Sequence, residues 1–71
     1  MAMSDADKLR ALLPHWIEHN AEHAAEFCSW AVRACVAGHK DAAEEIEAAA
    51  KELGRVNEAL RTALQHLGAL T

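Results

Sequence analysis

The chain has 71 residues, of which 52% are apolar and 25% charged, with a formal net charge of −4. That length holds one small domain. The acidic balance speaks against nucleic acid and anionic membrane as partners, no apolar run reaches the ~20 residues of a membrane span, and no basic start leads a signal peptide. Seventeen of the apolar residues are alanine, so few large side chains remain to build a core. Thin cores call for a staple or a partner.

Ala, Leu, Glu, Lys, Arg and Gln dominate, all strong helix formers, and no stretch alternates as a strand would. In chain order, Ser4 or Asp5 caps a short first helix over about 5–12, with Asp7 near its positive end. Pro14 is the only proline and either starts or kinks a long helix over 14–37. Gly38 ends that helix, and His39 and Lys40 make the turn. Asp41 caps the next helix, with Glu44 at capping-box spacing, and Gly68 closes it after about residue 67. The expected fold is all-α: an antiparallel two-helix hairpin with a short N-terminal helical segment.

The three-residue turn makes residues whose numbers sum to about 78 face each other. On α-helical spacing, Ala42, Ile46, Ala49, Leu53, Val56, Leu60, Ala63 and Leu67 form the inner stripe of the last helix, beside Ala43, Ala50, Asn57 and Leu64. Leu9, Trp16, Phe27, Trp30 and Ala34 oppose it, each large ring against small residues. A second stripe, Leu13, Ile17, Ala24, Cys28, Ala31 and Cys35, then lies open. It suits a homodimer that forms a four-helix bundle. Trp16, Ile17, Phe27, Cys28, Trp30 and Cys35 are the expected interface residues. The two cysteines, about 10 Å apart along a helix, cannot bridge each other, and read as reduced, buried small residues of a cytoplasmic protein.

One segment is not explained by helix formation. His15, His19 and His23 recur every four residues and form an inclined row, with Glu22 and Glu26 beside it. Imidazole and carboxylate at this spacing can reach one divalent ion such as Zn, Ni or Co. The same pattern also suits a solvated polar face or a partner-recognition face. His23 falls toward the core beside Asn20, across from Glu52, Arg55, Asn57 and Glu58. It is either part of a hydrogen-bonded cluster with Asn20 or a metal ligand backed by Asn20 and Glu52. His66 is placed to approach His15 or to complement the helix dipole. No phosphate loop, nucleophile elbow or HExxH is present, so the chain does not read as an enzyme.

The run from Leu12 to His23, with its Pro14-His15-Trp16-Ile17-Glu18-His19-Asn20 core, together with Phe27, Trp30-Ala31, Ala42-Ala43-Glu44-Glu45-Ile46 and Asn57-Glu58-Ala59-Leu60, resembles a small helical domain. That domain stands at the C-terminus of some CooT-family proteins, the nickel-binding accessory proteins of carbon monoxide dehydrogenase. The β-rich portion that carries that family's nickel-binding cysteine has no counterpart here. The resemblance implies a metal-trafficking setting and a protein partner in metalloenzyme maturation. Two functions are therefore expected: a metal-binding helical module, or a non-catalytic interaction and oligomerisation domain.

Overall fold

The computed structural model describes residues 3–68. Two helices, α1 (Asp5–Val36) and α2 (Lys40–His66), fold back on each other as a hairpin about 56 Å long. Ser4 caps α1 as expected: its hydroxyl accepts from the Asp7 N–H at 3.1 Å. Asp5 and Asp7 then sit at the positive end of the helix dipole.

The expected break near Pro14 does not occur, and residues 5–36 form one helix with Pro14 inside it. Pro14 is exposed, while Leu13 and Ile17 hold α1 against α2 on either side of it. That packing outweighs the lost backbone bond, a penalty of about 3 kcal/mol in an unsupported helix.

At the other end of α1, the Gly38 N–H donates to the Cys35 carbonyl and the His39 N–H to the Ala34 carbonyl. These paired bonds make a Schellman turn, and they demand a left-handed residue, which Gly38 supplies at φ 91°. The turn brings His39 to the start of α2, where its carbonyl accepts from the Ala43 N–H. Asp41 therefore lies inside the first turn of α2, where its charge complements the dipole, and is not the cap. Gly68, at φ 66°, follows the end of α2 as the sequence indicated.

The seam between the helices is a heptad pattern. On α2 it runs through Ala43, Ile46, Ala50, Leu53, Asn57, Leu60, Leu64 and Leu67; on α1 through Leu13, Ile17, Asn20, Ala24, Phe27, Ala31 and Ala34. The hydrogen-bonded pairs Arg10–Leu67 and Asn20–Asn57 both sum to 77, one less than expected. Ala42, Ala49 and Val56, placed in the inner stripe from sequence, are exposed, and so are Leu9, Trp16 and Trp30. The stripe assigned to a second copy supplies Leu13, Ile17, Ala24 and Ala31 to the hairpin itself. Five alanines lie in this seam, and both indoles stand outside it.

Among the described residues the buried apolar side chains are Leu13, Ala31, Ala43 and Ala50, and none of the large side chains is fully buried. The accessible surface is 5466 Å². A compact monomer of this mass exposes about 4,300 Å². Within the described residues no helix is long and apolar enough to cross a membrane.

Candidate functional site

The seam fixes which side chains stand on each flank of the hairpin. Residues one position before Arg10, Ile17, Ala24 and Ala31 form a column at seven-residue spacing: Leu9, Trp16, His23 and Trp30. Seven residues is nearly two helical turns, so the four share one direction. Trp16 is 40% exposed and Trp30 53%, with Leu9, Leu12 and Val56 also open to solvent. The Arg33 guanidinium lies 4.7 Å from the Trp30 ring centre, a cation–π contact that orients the indole without covering it.

The histidine row runs along the edge of this flank. The His15 and His19 rings stack with centroids 6.0 Å apart, and the His19 and His23 rings meet edge to face at 4.6 Å. His23 in turn lies 6.2 Å from the Phe27 ring. The Nε2 atoms of His19 and His23 are 3.0 Å apart. One Nε2–H donates to the other Nε2, and the tautomers decide which ring is the donor.

The structure thus joins His15, His19 and His23 in one row but gives converging nitrogens only to His19 and His23. Glu22 and Glu26 are exposed and make no hydrogen bond or ion pair with the histidines. Among the described residues no group of three His, Cys, Asp or Glu converges on one point. His23 is exposed, not core-facing, and its partner is His19 in place of Asn20. The seam runs through Asn20, Ala24 and Phe27, which leaves His23 on the flank. Asn20 instead pairs with Asn57, which is 4% exposed. His66 is exposed and makes no contact with His15.

The opposite flank carries the cysteines. Cys28 and Cys35 are free thiols and exposed, contrary to the buried role expected of them. With Val32 and Val36 of α1 and Glu44 and Glu47 of α2 they line an open groove of about 460 Å³. The seam is filled by Ala24, Ala31 and Ala34, which pushes both thiols one position outward.

Three features escaped the sequence reading. The seven-residue recurrence of Leu9, Trp16, His23 and Trp30 was the available signal for an exposed column. The Arg33–Trp30 contact follows from ordinary i, i+3 spacing. The forked bond from Arg10 Nε and Nη2 to the Leu67 carbonyl, at 3.1 and 2.8 Å, had no local signal because its partners are 57 residues apart.

Residues 9–67 match the model of one protein family, described as a domain of unknown function (DUF8180). That match covers the whole hairpin seam, and nothing in it connects the chain to the CooT family. Neither the curated proteins nor the solved structures contain a match.

Proposed function

The chain belongs to the DUF8180 family, a domain of unknown function, and from that premise we propose that it is a non-catalytic assembly module that pairs with a second copy of itself. The observation that carries this reading is the exposed Trp16 and Trp30 column on a hairpin with almost no buried core. Two indoles left half open on one flank are unusual for a monomer and typical of an interface. The elongated hairpin exposes about 1,100 Å² more surface than a compact monomer of its mass, and the two indoles are part of that surface.

Stacking two hairpins on this flank builds a four-helix bundle, with the tryptophans providing the bulk that the alanine seam lacks. The dimer suggested by the sequence is kept, but on the flank opposite the cysteines. Ile17 and Phe27 support it from inside the seam, and Cys28 and Cys35 stay outside.

Light scattering over a range of chain concentrations tests this. A dimer is expected that dissociates in Trp16→Ala and Trp30→Ala, both of which leave the seam intact. A foreign helical partner, such as a metalloenzyme-maturation role would require, would leave the isolated chain monomeric at every concentration. That result would overturn self-association.

A further inference from the structure

We propose that the indoles of each copy seat on a column of small residues on α2 of the second copy, Trp30 at Ala49 and Trp16 at Ala63, with the two-fold axis running along the bundle. The proposal rests on the assembly reading above and names the surface that receives the tryptophans.

The flank that carries the tryptophans has a second column. On α2, Ala42, Ala49, Val56 and Ala63 each stand one position before a seam residue: Ala43, Ala50, Asn57 and Leu64. In an antiparallel pair, equivalent heptad positions of the two helices lie on the same side of the seam. The opposite flank obeys this rule: Cys28, Cys35 and Glu47 line one groove, each four positions after a seam alanine. Ala42 and Ala49 are exposed, Val56 is 45% exposed and Ala63 is half-buried. One flank thus carries a bulky column on α1 beside a small column on α2. The hydrogen-bonded pairs that sum to 77 set the heights. Trp30 stands level with Glu47, nearest Ala49 in the small column, and Trp16 level with Arg61, nearest Ala63.

Two kinds of two-fold axis bring such flanks face to face. An axis across the helices stacks α1 on α1 and α2 on α2. The first contact then sets bulky column on bulky column and the second small on small. These call for different spacings, about 10 Å and about 8 Å between helix axes, which two straight layers do not provide together. An axis along the bundle stacks α1 of each copy on α2 of the other, and the two contacts are identical by symmetry. Each sets a bulky column on a small one, the alternation that fills a core. This axis also leaves every residue at its own height. Each indole therefore meets, in the second copy, the counterpart of the alanine beside it in its own chain, and no slide of one copy along the other is needed.

The test measures distances between two copies of the full chain by electron spin resonance. One sample carries a spin label on Cys35, near the turn, in the Cys28→Ser variant. The other carries it at Ala11→Cys, near the open end, with both native cysteines replaced by serine. An axis along the bundle keeps both label pairs level, and each is expected below about 35 Å. An axis across the helices separates at least one of the two pairs by about 36 Å along the bundle alone, and so by more than about 40 Å in all. Ala49→Glu, at an exposed position of α2, is expected to raise the dimer Kd by about tenfold or more in light scattering, with the helical circular-dichroism signal kept. A dimer with either label pair beyond about 40 Å, or one unchanged in Ala49→Glu, overturns this pairing and leaves the assembly reading standing. A chain that is monomeric at every concentration overturns both.

Discussion

Asn20 and Asn57 meet side chain to side chain across the seam: the Asn20 Nδ2 donates to the Asn57 Oδ1 at 3.0 Å. The Asn57 Nδ2 then donates to the Ile17 carbonyl at 2.9 Å. Asn57 is the only buried polar residue among those described. One pair of polar residues in a heptad seam penalises every other register, because a shifted pairing would bury an amide without its partner. Asn57→Ala is expected to cost about 1–3 kcal/mol in urea unfolding. The double variant Asn20→Leu/Asn57→Leu is expected to unfold at higher urea yet show more than one set of amide signals by NMR. One clean set of signals would refute the register-setting role.

Arg10 closes the open end of the hairpin. Its guanidinium forks onto the Leu67 carbonyl, at the negative end of α2, and its Nη1 also reaches Asp7 at 2.8 Å. The Asp7 contact is exposed and contributes little. Arg10→Ala should cost about 1–2 kcal/mol through the carbonyl bonds. Arg10→Lys should recover only part of that, since an ammonium cannot make the fork. Hydrogen exchange at Leu64–Leu67 is the direct readout, and faster exchange confined to that turn is expected in both variants.

Core and flank separate cleanly by mutation. Leu13 is 4% exposed, and Leu13→Ala should cost about 2–3 kcal/mol, near the low end because the thin seam can close around the gap. Trp30→Ala, measured where the chain is monomeric, should cost below about 1 kcal/mol despite removing a far larger side chain. Equal costs for the two would show that the indole is part of the core.

Gly54 and Gly38 should respond to alanine in opposite directions. A methyl added at Gly54 meets nothing within 4 Å, and the residue lies within α2. Gly54→Ala is therefore expected to stabilise by about 0.5–1 kcal/mol through helix propensity alone. Gly38 has equal space but a φ of 91°. Gly38→Ala should destabilise by about 1–2 kcal/mol from backbone strain. Thermal melts of the two variants side by side give the comparison.

The hairpin and its ends were legible because Ser4, Gly38 and Gly68 carry local signals that tertiary packing did not override. The rotation of the helices was not. Ala42, Ala49 and Ala63 form one stripe, Ala43, Ala50 and Leu64 its neighbour, and both share Ile46, Leu53, Leu60 and Leu67. Periodicity cannot choose between stripes so alike, and the intuition that tryptophan belongs inside chose the wrong one. Asn57 was the informative residue: it marks the true seam, yet counted by polarity it argues for the other. The histidine row was legible as a row from its four-residue spacing. Which two rings converge depends on side-chain torsions that spacing does not specify.

Cys28 and Cys35 give the chain a readout of its own. Both thiols face solvent from the flank that a dimer built on Trp16 and Trp30 leaves open. A maleimide should therefore label them at the same rate in monomer and dimer, while tryptophan fluorescence changes between the two. In air, oxidation of the thiols by dioxygen, which takes up their protons and electrons, would join one bundle to the next through disulfides on their outer sides. The products would be ladders of covalent polymers, and the bundle itself would remain unlocked.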